Sequence, residues 1–171
     1  MNGKNPVLKM RKPTNPTPFN PETDFPPIPF DERHCRAALQ LKEAGLPWRP
    51  HVGCFVWDRE GWIEVPSPFP ERIYFILNLG HFLRLLGSIE DVVQKLVWLP
   101  TWHQARQIGE KLGIGNKELA GLFTRAEAET PGDELLAVYG LILKRLPTPF
   151  SKKQEQQGKG NRGQRRKGNH G

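Results

Sequence analysis

Residues Leu41–Val65, LKEAGLPWRPHVGCFVWDREGWIEV, are where this chain commits to a fold. A helical pattern ends there: Gly45 accepts the left-handed conformation that closes a helix, and Pro47 cannot continue one. His51–Trp57 is rich in Val, Phe and Trp and reads as a strand. Asp58-Arg59-Glu60-Gly61 reads as a turn with solvated acids, and Trp62–Val65 as the return strand of a hairpin.

The helix that ends at Gly45 begins near Asp31. Cys35, Ala38, Leu39 and Leu41 form its apolar stripe, with Arg36, Gln40, Lys42 and Glu43 outside it. Upstream, residues 1–30 hold eight of the seventeen prolines and no periodic apolar pattern. Proline lacks the amide that helices and ladders need, so an extended, disordered arm is expected. Its last part, Phe25-Pro-Pro-Ile-Pro-Phe30, reads as solvated linker, with a surface polyproline II strip as the alternative.

Downstream of the stretch, Arg72–Leu79 (RIYFILNL) is short, β-branched and aromatic, which favours a third strand over a helix. A short helix over His81–Leu86 would close at Gly87. Ser88 and Asp91 form a capping-box-like start for Ile89–Lys95. Val97–Pro100 is extended, Thr101 and Gln104 match a second capping box, and that helix runs to about Leu112. A further helix spans about Lys117–Glu127. Thr130-Pro131 opens a last one, apolar on most of its circumference and therefore central to the core, through Arg145. The expected fold class is α+β: a small antiparallel sheet, hairpin plus possible third strand, packed by several helices, with disordered termini. The division is a proline-rich arm at 1–30, a globular domain at 31–146 and a basic tail at 147–171.

Charge sharpens that division. The net charge is +7, but residues 31–150 carry fourteen Lys/Arg against fifteen Asp/Glu, so the folded part is close to neutral. Residues 151–171 carry seven basic residues and one acidic one, with no aliphatic or aromatic side chain. Such a segment cannot offset its ordering entropy. Lys152, Lys153, Lys159, Arg162, Arg165, Arg166 and Lys167 can neutralise phosphates, so the tail is expected to contact RNA or DNA without reading sequence.

Other chemistry is weaker. His34, Cys35, His51 and Cys54 are residue types that zinc prefers, but adjacent helical residues seldom reach one tetrahedral ion, and Cys35 lies on the apolar stripe. Cys54 reads as a core residue; His51, an odd number of positions away in a strand, would face the other side. His103 and Arg106 share a helix face near a helix start, His81 and Arg84 repeat that spacing, and Trp48, Arg49 and His51 could join them as an anion or ligand site. No catalytic residue, cofactor or metal is assigned. Two cysteines and no signal-like or membrane-spanning run point to a reduced, cytoplasmic protein.

LKEAGLPW (Leu41–Trp48) and KLVWLPTWHQ (Lys95–Gln104) resemble segments of a loosely defined group of small bacterial and phage or mobile-element proteins. The resemblance covers about Arg33–Leu112. It implies a helix ending before a short sheet and a Trp-Leu-Pro-Thr step before a helix, and brings no activity or catalytic residues with it. The function expected is a non-catalytic accessory or adaptor protein, its tail on nucleic acid and its neutral domain on a protein partner. The alternatives are a small enzyme or anion-ligand-binding protein with a site between the hairpin and the Thr101 helix, or a structural interaction module.

Overall fold

A computed structural model of the chain describes residue 20, residues 22–125 and residues 130–147. Six helices and three short strands follow in the order α1 (Glu32–Glu43), β1 (Phe55–Trp57), β2 (Ile73–Phe75), α2 (Leu79–Leu86), α3 (Ile89–Lys95), β3 (Val97–Leu99), α4 (Trp102–Lys111), α5 (Asn116–Arg125) and α6 (Pro131–Arg145). The fold is α+β, with one antiparallel sheet in the order β2-β1-β3.

Local hydrogen bonding sets the helix starts. Ser88 with Asp91, Thr101 with Gln104 and Thr130 with Asp133 each form a reciprocal capping box, satisfying amides that the first turn leaves open. Asp31 caps α1, with His34 completing the box. Helix ends are closed from a distance as well. Lys42 of α1 donates to the carbonyls of Gln94 and Leu96 at 2.6 and 2.9 Å, where burial pushes its pKa down. Lys95 donates to Leu86 O at 2.7 Å.

The sheet is a partition between two apolar cores. Its register aligns Ile73, Trp57 and Val97, then Phe75, Phe55 and Leu99, with Tyr74, Val56 and Trp98 between them. Side chains alternate along a strand, so the first two rows face one way and the third faces the other. The first face packs on α1, α4 and α6 through Cys35, Ala38, Leu41, Val138, Tyr139 and Ile142. The second packs on α2 and α3 through Phe82, Leu86 and Val92. As its apolar circumference implied, α6 lies in the core, and its Tyr139 hydroxyl donates to the buried Pro100 carbonyl.

Four expectations need correction. Trp62–Val65 is not a strand; β1 pairs instead with Ile73–Phe75 and with Val97–Leu99, a segment read from sequence only as extended. The reason is Asp58, which is fully buried rather than solvated. Its carboxylate accepts from the amides of Gly61, Trp62 and Ile63 at 3.0, 3.0 and 2.8 Å, and from Arg72 Nη2 at 2.9 Å. Amides held by a side chain are not available to a ladder. Glu71 and Arg72, at φ 58° and 57°, adopt the left-handed conformation that is costly for non-glycine residues.

The expected strand from His51 shortens to Phe55–Trp57, because the chain turns at Val52-Gly53, with Gly53 at φ 97°. The strip before α1 is not a solvated linker either: Ile28 and Phe30 are 7% and 5% exposed and join the first core. Phe30 lies 5.2 Å, ring to ring, from Phe55.

Candidate ligand-binding site

Helix α4 follows β3 after only Pro100 and its N-cap Thr101, so its inner face, through Ala105 and Gly109, is held in the first core. Its other side carries His103, Arg106, Gln107 and Glu110 at the spacings that bring helical residues together, with Trp102 partly buried against the first core. The chain then reverses. Gly113 takes φ 77°, which only glycine adopts without strain, and the Ile114 amide donates back to Gly109 O at 2.8 Å. This closure, with the 6→1 bond of a Schellman motif, packs Ile114 against Gly109 of α4 and leads into α5.

Between the two helices lies a cleft of about 530 Å³ lined by Trp102, His103, Arg106, Gln107, Glu110, Ile114, Gly115, Asn116 and Leu119. Small-molecule sites span about 300–1,000 Å³. Ile114 and Leu119 line it but are almost wholly buried, each 4% exposed, and one wall is polar. Arg106 is half-buried, and its Nη2 donates to Asn116 Oδ1 at 2.8 Å. That partner is a neutral amide, so the bond orients the guanidinium without cancelling its charge. Glu110 stands one turn further along the same wall.

Of the residues singled out in the sequence, this cleft gathers His103 and Arg106. Trp48, Arg49, His51, His81 and Arg84 do not line it. Trp48 is half-buried against the second core, stacked on Trp98 at 6.2 Å with the rings 9° apart. His51 is exposed, its Nδ1 2.7 Å from Val52 O. Arg49, His81 and Arg84 are exposed, the latter two on α2. The cleft that holds His103 and Arg106 lies between α4 and α5. Gln107, Glu110 and Asn116 were missed. The first two repeat, one turn on, the i, i+3 spacing of His103 and Arg106, but Asn116 arrives only through the turn at Gly113. Lys152, Lys153, Lys159, Arg162, Arg165, Arg166 and Lys167 lie outside the described residues.

The zinc-type residues do not converge. Cys35 belongs to the first core and Cys54 to the second, on opposite faces of the sheet. His34 is 1% exposed, with Nδ1 2.7 Å from Asp31 Oδ1 and Nε2 3.0 Å from Gly132 O, a tie between the starts of α1 and α6. Among the described residues no group of three or more His, Cys, Asp or Glu is placed to hold a metal ion. Burial, with the nearby acids Glu71, Asp31 and Glu32, pushes the Cys35 thiol up to about 12, which suits a packed thiol rather than a nucleophile. Among the described residues, no helix is long and apolar enough to cross a membrane.

No family model, no curated protein and no solved structure matches the chain.

Proposed function

We propose that this protein is a non-catalytic accessory protein that contacts nucleic acid non-specifically through its basic C-terminal tail, while its neutral domain engages a protein partner. The observation that carries the reading is the separation of charge: residues 151–171 hold seven Lys/Arg and one acid, against a near-even balance in residues 31–150. Flexible cationic segments bind phosphate chains by releasing counterions, which needs no fixed geometry. A partner surface is supported by large apolar side chains left exposed, among them Val52, Trp62, Leu77 and Leu85.

The test compares the wild-type chain with a full-length variant in which Lys152, Lys153, Lys159, Arg162, Arg165, Arg166 and Lys167 are all changed to Gln. Wild type should bind single-stranded DNA and RNA at low salt, with a log–log salt slope of up to about −5 if all seven cations meet phosphates. The variant should lose most of that slope. If wild type binds neither nucleic acid at low salt, or if the variant binds as wild type does, the reading fails.

A further inference from the structure

We infer that the cleft between α4 and α5 seats one nucleotide of the bound single strand, its phosphate against Arg106 and His103 and its base against Trp102. This deepens the nucleic-acid reading and rests on it.

Arg145, in the last turn of α6, donates through Nη2 to Glu118 Oε1 and Oε2 at 2.9 and 3.0 Å. Glu118 stands in the first turn of α5, two residues from Asn116 on the cleft wall. Pro147, the last described residue, follows Arg145 by two residues, so the tail begins close in sequence to this contact with α5. Lys152 is five residues past Pro147, a reach of at most about 17 Å for extended chain. A strand held by the tail passes within range of the cleft mouth.

Arg106 is half-buried and held by a neutral amide, so it offers a directed donor pair to a phosphate oxygen. His103, three residues earlier, lines the same wall. Glu110 disfavours a bare anion, yet is an acceptor suited to a base amino group such as cytosine N4. The accessible apolar group of the cleft is the half-buried Trp102, with Ile114 and Leu119 buried beside it, and aromatic side chains bind bases of any sequence by stacking. A ligand that is anionic at one end and a flat, donor-bearing ring at the other satisfies every wall.

The experiment uses the isotope-labelled full chain, titrated with a deoxycytidine 10-mer, with deoxycytidine monophosphate and with inorganic phosphate. The readouts are the Trp102 indole N–H and Arg106 Nε–H resonances. The 10-mer should shift both, and Arg106→Gln should weaken binding at least about tenfold, the loss of one charge-assisted hydrogen bond, with the rest of the spectrum unchanged. If that variant does not fold, Gln107→Ala and His103→Gln take its place. Shifts confined to the tail, with unchanged affinity in the Arg106 variant, overturn the cleft site and leave the tail reading standing. Cleft shifts that persist at full affinity in the seven-site tail variant do the reverse. Phosphate alone reproducing the shifts would make this a plain anion site, and the mononucleotide binding as tightly as the 10-mer would assign it to free nucleotides; either result overturns the strand assignment.

Discussion

The two faces of the sheet are stabilised by different physics. On the first, α1, α4 and α6 close over the strands, and the burial extends from Ile28 and Phe30 to Ile142. On the second, two short helices and the segment from Asp58 to Arg72 cover Cys54, Val56, Tyr74 and Ile76. Leu77 and Leu85 remain 75% and 44% exposed, beside a smaller core. The thin side is pinned by polar anchors instead: the buried Asp58 carboxylate, and Tyr74, whose hydroxyl donates to Val65 O at 2.8 Å. Where apolar area is scarce, a well-satisfied buried charge can fix a loop that packing alone would not.

The strongest way to break this contrast is Leu99→Ala. Leu99 is fully buried at the centre of the thick side, and deleting it should cost about 2–5 kcal/mol, depending on how far α1 and α6 collapse into the gap. Chemical denaturation would measure it; a loss below about 1 kcal/mol would mean the first core is looser than described.

Asp58→Ala probes the other side. It removes the acceptor of three loop amides and orphans that of the buried Ile63, for about 1–3 kcal/mol. The loss should be local, with the Ile63 amide exchanging with solvent much faster while amides of α6 keep their protection. Equal loss of protection in both places would show that the two sides open as one unit.

The smallest effect is expected in acid, at the joint between α1 and α6. Partial burial alone would raise the Asp31 carboxyl, but hydrogen bonds from His34 and Arg33 outweigh it and hold its pKa at about 2. A carboxylate depressed in the folded state stabilises above its unfolded value, near 3.8, and that contribution is lost as pH falls through about 2. Because Asp31 is well exposed, solvent screening keeps the contribution modest. Asp31→Asn should flatten stability against pH between about 4 and 2, and an unchanged profile would place the acid sensitivity elsewhere.

Legibility in the sequence followed the range of the interaction. Thr101 with Gln104 and Thr130 with Asp133 lie three residues apart, so both the donor and the acceptor of each cap are visible in one short window. His103 and Arg106 could be paired for the same reason. Asp58, by contrast, looks like any acid in a turn until Arg72 arrives beside it, and Asn116 has no link to Arg106 before Gly113 reverses the chain.

By itself, then, the sequence determined the helices and their caps, the α+β class and the segregation of charge into one end, because each rests on neighbours along the chain or on composition. Tertiary structure decided which strands pair, which acid is buried and which residues share a cleft. Those outcomes turn on competition for amides and apolar area between segments distant in sequence, and no local pattern records who wins it.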